Sequence, residues 1–351
     1  MAFISQQTAT SSPHSHQALN TQAVMTMVVL ATLPGIAALT VFFGWGSAVN
    51  IVVTSVFALG FEALILAIRK RPIGFYLKDC SALVTAVLLG IALPPYAPYW
   101  LLLIGAFFAI IVAKQLYGGL GFNPFNPAMV AYVVLLISFP VEMTRWAAPL
   151  GSFEGNTASL IEAIKACFIG LESIDIVTMA TPLDTLKNNQ SLLLNDLYQQ
   201  PMFGQWAGLG WEWVNLGFLA GGLFLLYKRI YSWHAPIAML VSLSLCTLFF
   251  YDSGSSASKG SALFHLLSGA SCFGAFFIVT DPVTSAASNK GRLIYGALIG
   301  LLVFIIRSWG NYPDAVAFAV LLMNFAAPFI DHYTKPRSYG QPAKTYTKEP
   351  K

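Results

Sequence analysis

SALVTAVLLGIALPP (residues 81–95) and GASCFGAFFIVTDP (269–282) are two apolar runs, each closed by proline, that can be laid one over the other. The segments that follow them match in the same way. NPAMVAYVVLL (126–136) sets against YPDAVAFAVLL (312–322), and the spacings from Pro95 to Pro127 and from Pro282 to Pro313 differ by one residue. Two readings are open: an internal repeat, or the shared composition of membrane segments.

Composition fixes the solvent around these runs. Of 351 residues, 56% are hydrophobic, 14% aromatic and only 10% charged, and the mean hydropathy is +0.67, far from the balance of a soluble domain. A spanning helix needs about 20 mostly apolar residues, because irregular backbone facing lipid leaves its amides without partners. Ten segments qualify: 23–43, 48–68, 79–95, 97–115, 126–141, 211–227, 235–251, 262–279, 292–307 and 313–331. The expected fold is an all-α polytopic membrane protein of about ten transmembrane helices.

Ten spans place both termini on one side, and the basic residues choose the side. With the N-terminus cytoplasmic, fourteen of the 19 Lys and Arg residues lie inside; Arg145, Lys165, Lys187, Lys259 and Arg307 are left outside. The chain then divides into a cytoplasmic tail (1–22), a first five-helix half (23–141), a long extracytoplasmic loop (142–210), a second five-helix half (211–331) and a cytoplasmic tail (332–351). The third span runs outward and the eighth inward, so the repeat, if real, is inverted. Inverted repeats with Gly- or Pro-broken segments house a site near their interface.

Several chemistries are absent as motifs. The N-terminal stretch carries no Lys or Arg and leads into a full-length span, unlike a signal peptide. Cys80, Cys167, Cys246 and Cys272 form no CxxC, which argues against iron–sulfur or zinc ligation by this chain alone. There is no P-loop, no GxGxxG after a strand, no HExxH and no nucleophile elbow, and nothing points to nucleic acid. The runs YGGLGF and AGGLF read as turns or close helix packing. His265 reads as a hydrogen-bonded structural histidine. Trp45, Trp100, Trp146, Trp211 and Trp213 read as an interfacial belt in contact with lipid.

Against this background DIVTMATPLDTLK (175–187) stands out as polar and threonine-rich. Locally it is a helix start, with Thr181 at the N-cap, Pro182 at the first helical position and Asp184 in the first turn. That leaves the preceding D-x-x-T-x-A-T pattern, Asp175, Thr178, Ala180 and Thr181, without a purpose. The segment resembles the flavinylation segment of the RnfD/NqrB family, which comprises one membrane component of the Rnf electron-transport complex and its counterpart in the sodium-translocating NADH:quinone reductase. The P-L-D continuation and the ten-span layout are most like the RnfD branch.

The resemblance implies that Thr181 carries FMN through a phosphoester, installed by a dedicated transferase that acts on FAD. A phosphoester leaves the isoalloxazine ring open to redox chemistry while tethering it, and a Thr-Pro helix start offers amides to a phosphate. GFNPFNPAMVAYVVLL (121–136) resembles the family's N-x-x-N-P-A segment, whose asparagines, here Asn123 and Asn126, help hold a noncovalent riboflavin. Carboxamides can donate to and accept from such a ring; the competing reading is a turn. The family also ties acids in matching segments, Glu62, Asp281 and Asp331, to cation uptake from the cytoplasm. Asp79, Asp281 and Asp331 can equally cap helices or pair with loop cations, whereas an acid within a span is a functional candidate by default.

The implied function is an electron-carrying flavoprotein subunit of an ion-translocating oxidoreductase complex in a bacterial inner membrane, not a catalyst on its own. Its partners would be subunits bearing iron–sulfur clusters and a second FMN, with the ferredoxin or NADH site among them. Topology alone fits an alternative equally well: a transporter or channel without redox chemistry.

Overall fold

A computed structural model of the protein describes residues 19–152, 157–173, 177–189, 191–252, 258–310, 312 and 315–336. Helix lies within each of the ten apolar segments. The first half holds α1 (Thr21–Phe43), α2 (Gly46–Ile68), the short α3 (Ile73–Leu77), α4 (Ser81–Ala92), α5 (Tyr99–Phe107) with its π-helical continuation Phe108–Gln115, α6 (Pro127–Ser138) and α7 (Pro140–Thr144). Residues 145–210 contribute β1 (Trp146–Ala147), α8 (Leu160–Phe168), β2 (Thr178–Met179), α9 (Pro182–Asn188) and α10 (Leu194–Leu197). The second half holds α11 (Trp211–Tyr227), α12 (His234–Phe249), α13 (Ala262–Leu267), α14 (Ser271–Phe273) running on as π-helix Gly274–Ile278, α15 (Asn289–Trp309) and α16 (Val316–Thr334).

Four of these, α1, α2, α15 and α16, are long and apolar enough to cross a membrane. The twelve-residue α4 and α6 are about 18 Å long, short of the ~30 Å hydrocarbon layer. Both are therefore inner elements. Most of α4, from Thr85 to Ile91, is buried in protein, so its ends meet side chains instead of lipid.

The two halves meet along their helices: α1 packs on α11, and α6 packs on α16. The quoted pair of runs also starts alike: Cys80, capping α4, and Gly269, two residues before α14, both adopt left-handed backbone with φ of 60°. One difference breaks the likeness. The eighth segment is not one helix but two, α13 and α14, interrupted at 268–270.

Backbone that leaves the helix inside the bundle must be satisfied by protein. Asn215 on α11 does much of this, its amide donating to the carbonyls of Leu267 (3.0 Å) and Gly269 (2.9 Å) while its oxygen accepts from Cys272 N (3.0 Å). Arg307, at the end of α15, donates to His265 O (3.0 Å), Ser271 Oγ (2.9 Å) and Ser268 O (3.5 Å). The sequence reading places Arg307 among the outer charges; the structure buries it against this break. His265 has a structural hydrogen bond from its ring, Nε2 to Lys259 O at 2.6 Å.

The α1–α11 crossing is close enough that a Cβ on Gly221 would strike the carbonyl oxygen of Ala31. Gly221→Val should therefore destabilise the protein by about 2–3 kcal/mol, the range for overpacked cores. Thermal unfolding in detergent measures it, and an unchanged midpoint would contradict the crossing.

Candidate functional site

Thr181 is held from both sides. Before it, β2 pairs antiparallel with β1, Trp146 opposite Met179 and Ala147 opposite Thr178, and Ala148 N donates to Val177 O at 2.9 Å. After it, Pro182 opens α9 and packs on Gly208, where no side chain would fit. Leu183 and Leu186 anchor α9 in a small core with Leu197, Phe203 and Phe264. Thr181 is the N-cap, as the local sequence predicts: its hydroxyl donates to Asp184 Oδ2 at 2.9 Å and accepts from Asp184 N at 3.3 Å. Lys187, in the last turn, donates to Tyr312 O at 3.0 Å, and burial holds its ammonium below the ordinary lysine value.

Thr178 and Ala180 are exposed on this loop, while Thr181 is half-buried. Asp175 lies outside the described residues. Helix α9 has seven residues, so its dipole is small, and Thr181 itself takes the Asp184 amide that the sequence reading offers to a phosphate.

Thr181 and Pro182 are among the residues lining a chamber of about 80 Å³ to which both halves of the chain contribute. The first half supplies Leu39, Met129 and Tyr132; the second supplies Trp211, Phe218 and Phe273. The chamber admits only a few waters, and its lining is largely aromatic and aliphatic. Trp146 and Trp211 belong to that lining, ring centroids 4.8 Å apart and with Phe43 5.1 Å from Trp211. For these two the belt reading is wrong, because they pack inward on one another. Trp45 and Trp213 are exposed as the belt reading requires.

A second chamber of about 710 Å³ opens on the opposite, basic face, and Asn123, Asn126, Asp281, Lys114, Arg229 and Arg292 are among its lining residues. It falls within the ~300–1,000 Å³ range of small-molecule sites. Both asparagines line it, but both also make local bonds. Asn123 Nδ2 donates to Phe125 O (3.0 Å), and Asn126 Oδ1 caps α6 by accepting from Ala128 N (3.1 Å) and Met129 N (3.3 Å). Asn126 also joins the halves. Its amide donates to Asp281 Oδ2 at 3.4 Å, and its backbone N–H donates to the carboxamide oxygen of Asn324, whose nitrogen in turn lies 2.6 Å from the Tyr295 hydroxyl. A planar ligand here would meet Asn side chains already oriented by the fold, with Asp281 and three cations around it.

The four acids separate by environment. Asp79 accepts from Ser81 N (2.7 Å) and Asp331 from Ala287 N (2.9 and 3.1 Å), while Asp281 accepts from Val283 N (3.1 Å) and Thr284 Oγ1 (2.9 Å). Each holds a turn or helix start, and of these three only Asp281 lines the chamber. Glu62 is different in kind. It is 2% exposed, and its Oε1 accepts from Lys114 Nζ (2.7 Å) and Gln115 Nε2 (2.9 Å).

The sequence reading counts Lys114 among the cytoplasmic cations and sets Glu62 apart as an acid within a span; the structure makes them one buried ion pair. A lysine at the end of the apolar run FAIIVA was the visible signal for this. Lys114 Nζ also donates to Ser81 Oγ at 2.7 Å, which ties α2, α4 and the π-helical turn of the fourth segment together.

Removing one partner of such a pair strands the other. Glu62→Gln should destabilise the protein by about 3–5 kcal/mol, and Glu62→Gln with Lys114→Met should recover most of that in detergent unfolding. A single variant as stable as the wild type would contradict the pairing.

The sequence of the chain is similar to known proteins over nearly its whole length. A profile described as the NQR2, RnfD, RnfE family matches residues 8–340. The D subunit of the ion-translocating oxidoreductase complex of Cellvibrio japonicus (strain Ueda107) is 60% identical over 334 residues, covering 94% of this chain and 94% of that protein. The protein of the same name from Ectopseudomonas mendocina (strain ymp) is 59% identical over 331 residues, again 94% of each. That of Aliivibrio salmonicida (strain LFI1238) is 52% identical over 344 residues, 94% of this chain and 97% of the relative. With its helical membrane architecture and this similarity together, the chain belongs to the NQR2, RnfD, RnfE family.

Proposed function

We propose that this chain is the membrane-embedded flavoprotein subunit of an Rnf-type complex, joined to FMN by a phosphoester at Thr181, and that it couples electron transfer to ion movement across a bacterial inner membrane. In the proposed orientation both termini are cytoplasmic and Thr181 is periplasmic. The observation that carries this reading is the placement of Thr181: a hydroxyl fixed by a β-pair and a helix cap, lining a chamber with aromatic walls to which both halves contribute. Bound FMN supplies one- and two-electron redox chemistry. The residues of the chain do the rest. Thr181 Oγ1 would be the attachment atom, Asp184 holds that hydroxyl at 2.9 Å, and Trp146 and Trp211 would offer an apolar wall beside it.

The basic-face chamber is the proposed place for a second flavin, riboflavin, with Asn123 and Asn126 lining it. Glu62, Asp281 and Asp331 are the proposed cytoplasmic acids of the ion path. The relatives are named as ion-translocating oxidoreductase complex subunits. By that likeness the partners proposed here are subunits bearing iron–sulfur clusters and a second FMN, together with the flavin transferase during maturation.

A solute conduit is the competing reading, because two chambers lined by different residues of one membrane bundle also fit a permease. Attachment decides between them. When the transferase is co-expressed and the protein is run on a denaturing gel, the wild-type band should fluoresce under ultraviolet light and Thr181→Val should not. A band that stays dark in both, or glows equally in both, would remove the covalent flavin.

A further inference from the structure

The buried face of α2 carries a file of polar side chains through most of the bundle. Ser47, Asn50, Thr54 and Glu62, each no more than 2% exposed, follow one another at helical spacing with the small Ala58 in the gap. The opposite face, with Val52, Val56, Leu64 and Ile68, is exposed and apolar. From position 47 to position 62 the file covers about 22 Å at ~1.5 Å per residue, most of the ~30 Å hydrocarbon layer.

Every one of these four side chains keeps a buried oxygen with no hydrogen-bond partner among the described residues: Ser47 Oγ, Asn50 Oδ1, Thr54 Oγ1 and Glu62 Oε2. A single such atom costs about 1–3 kcal/mol. Four in line represent a sum comparable to the whole stability of a typical domain, roughly 5–15 kcal/mol. Polar atoms kept at that cost inside a membrane bundle mark a path or a site. All four are oxygens able to accept, the ligand type that replaces the hydration shell of a hard cation.

We propose that this face of α2 is a path for a small, hard monovalent cation, either sodium or hydrated proton. It rests on the ion-translocation reading above and adds Ser47, Asn50 and Thr54 to it. The inner end meets the basic-face chamber, since Lys114 and Ser81 both line that chamber. There Lys114 sits on Glu62 Oε1 at 2.7 Å, a resident cation that an incoming one must displace, while Oε2 stays available as a ligand. The outer end meets irregular backbone, where Asn50 Nδ2 donates to Pro94 O at 2.7 Å. The π-helical segment Phe108–Gln115, which carries Lys114, is the kind of irregular turn found at functional hinges.

The test uses the intact complex in proteoliposomes, with Ser47→Ala, Thr54→Val and the double variant. Electron transfer is driven from outside while sodium-22 uptake and internal pH are followed, with and without a protonophore. Neither hydroxyl makes a bond among the described residues, so removing them should leave the unfolding temperature unchanged or raised. Ion uptake per electron should fall at least tenfold in the double variant, and Thr54→Ser should restore the Thr54 share of it. Loss of the sodium-22 signal assigns the path to sodium; loss of the pH signal assigns it to protons.

Variants that move ions like the wild type would overturn the path. So would a loss that follows unfolding and is not rescued by Thr54→Ser. A wild-type complex that moves neither ion would remove the translocation reading itself and the path with it.

Discussion

Backbone that leaves helical geometry within a membrane has no water to turn to, so the protein must supply every partner. The interruption at 268–270 meets this constraint through two side chains from different helices, Asn215 and Arg307. Gly269, Ala270 and Phe273, at and just after that break, line the same chamber as Thr181.

The two chambers share elements but differ in chemistry. Met129 on α6 and Phe273 on α14 face the Thr181 chamber, while Asn126 at the start of α6 and Phe276, Phe277 and Asp281 farther along the eighth segment face the basic-face one. The Thr181 chamber is small and aromatic; the other is about nine times larger by volume and carries an acid and several cations. One end of each shared element is therefore suited to an apolar ring and the other to polar or charged ligands. The chain from Asp281 through Asn126 and Asn324 to Tyr295 ties both halves at the basic-face chamber, beside the contacts of α6 with α16 and of α16 with α15.

Much of this was legible in the sequence because it is local. Hydrophobic runs located the helices, each of the ten apolar segments holding helix in the structure. Thr181, Pro182 and Asp184 spelled out a helix cap that the structure reproduces bond for bond. What was hidden depends on distant pairs. Glu62 and Lys114 lie 52 residues apart; a lysine closing an apolar run signals a buried partner, and nothing near it says which residue that partner is. Trp146 and Trp211 sit at span ends, as belt tryptophans do, and only the three-dimensional meeting of α1, β1 and α11 turns them inward. Arg307 read as a loop charge because the break it serves is formed by residues far from it in the chain.

The central claim is that Thr181 carries a flavin, and the tryptic peptide 166–187 reports on it directly, since it is bounded by Lys165 and Lys187 with no internal Lys or Arg. In protein matured in its native host, the peptide should be heavier than its sequence by one FMN less one water, with fragment masses placing the addition on Thr181. A peptide found only at its unmodified mass would contradict the account.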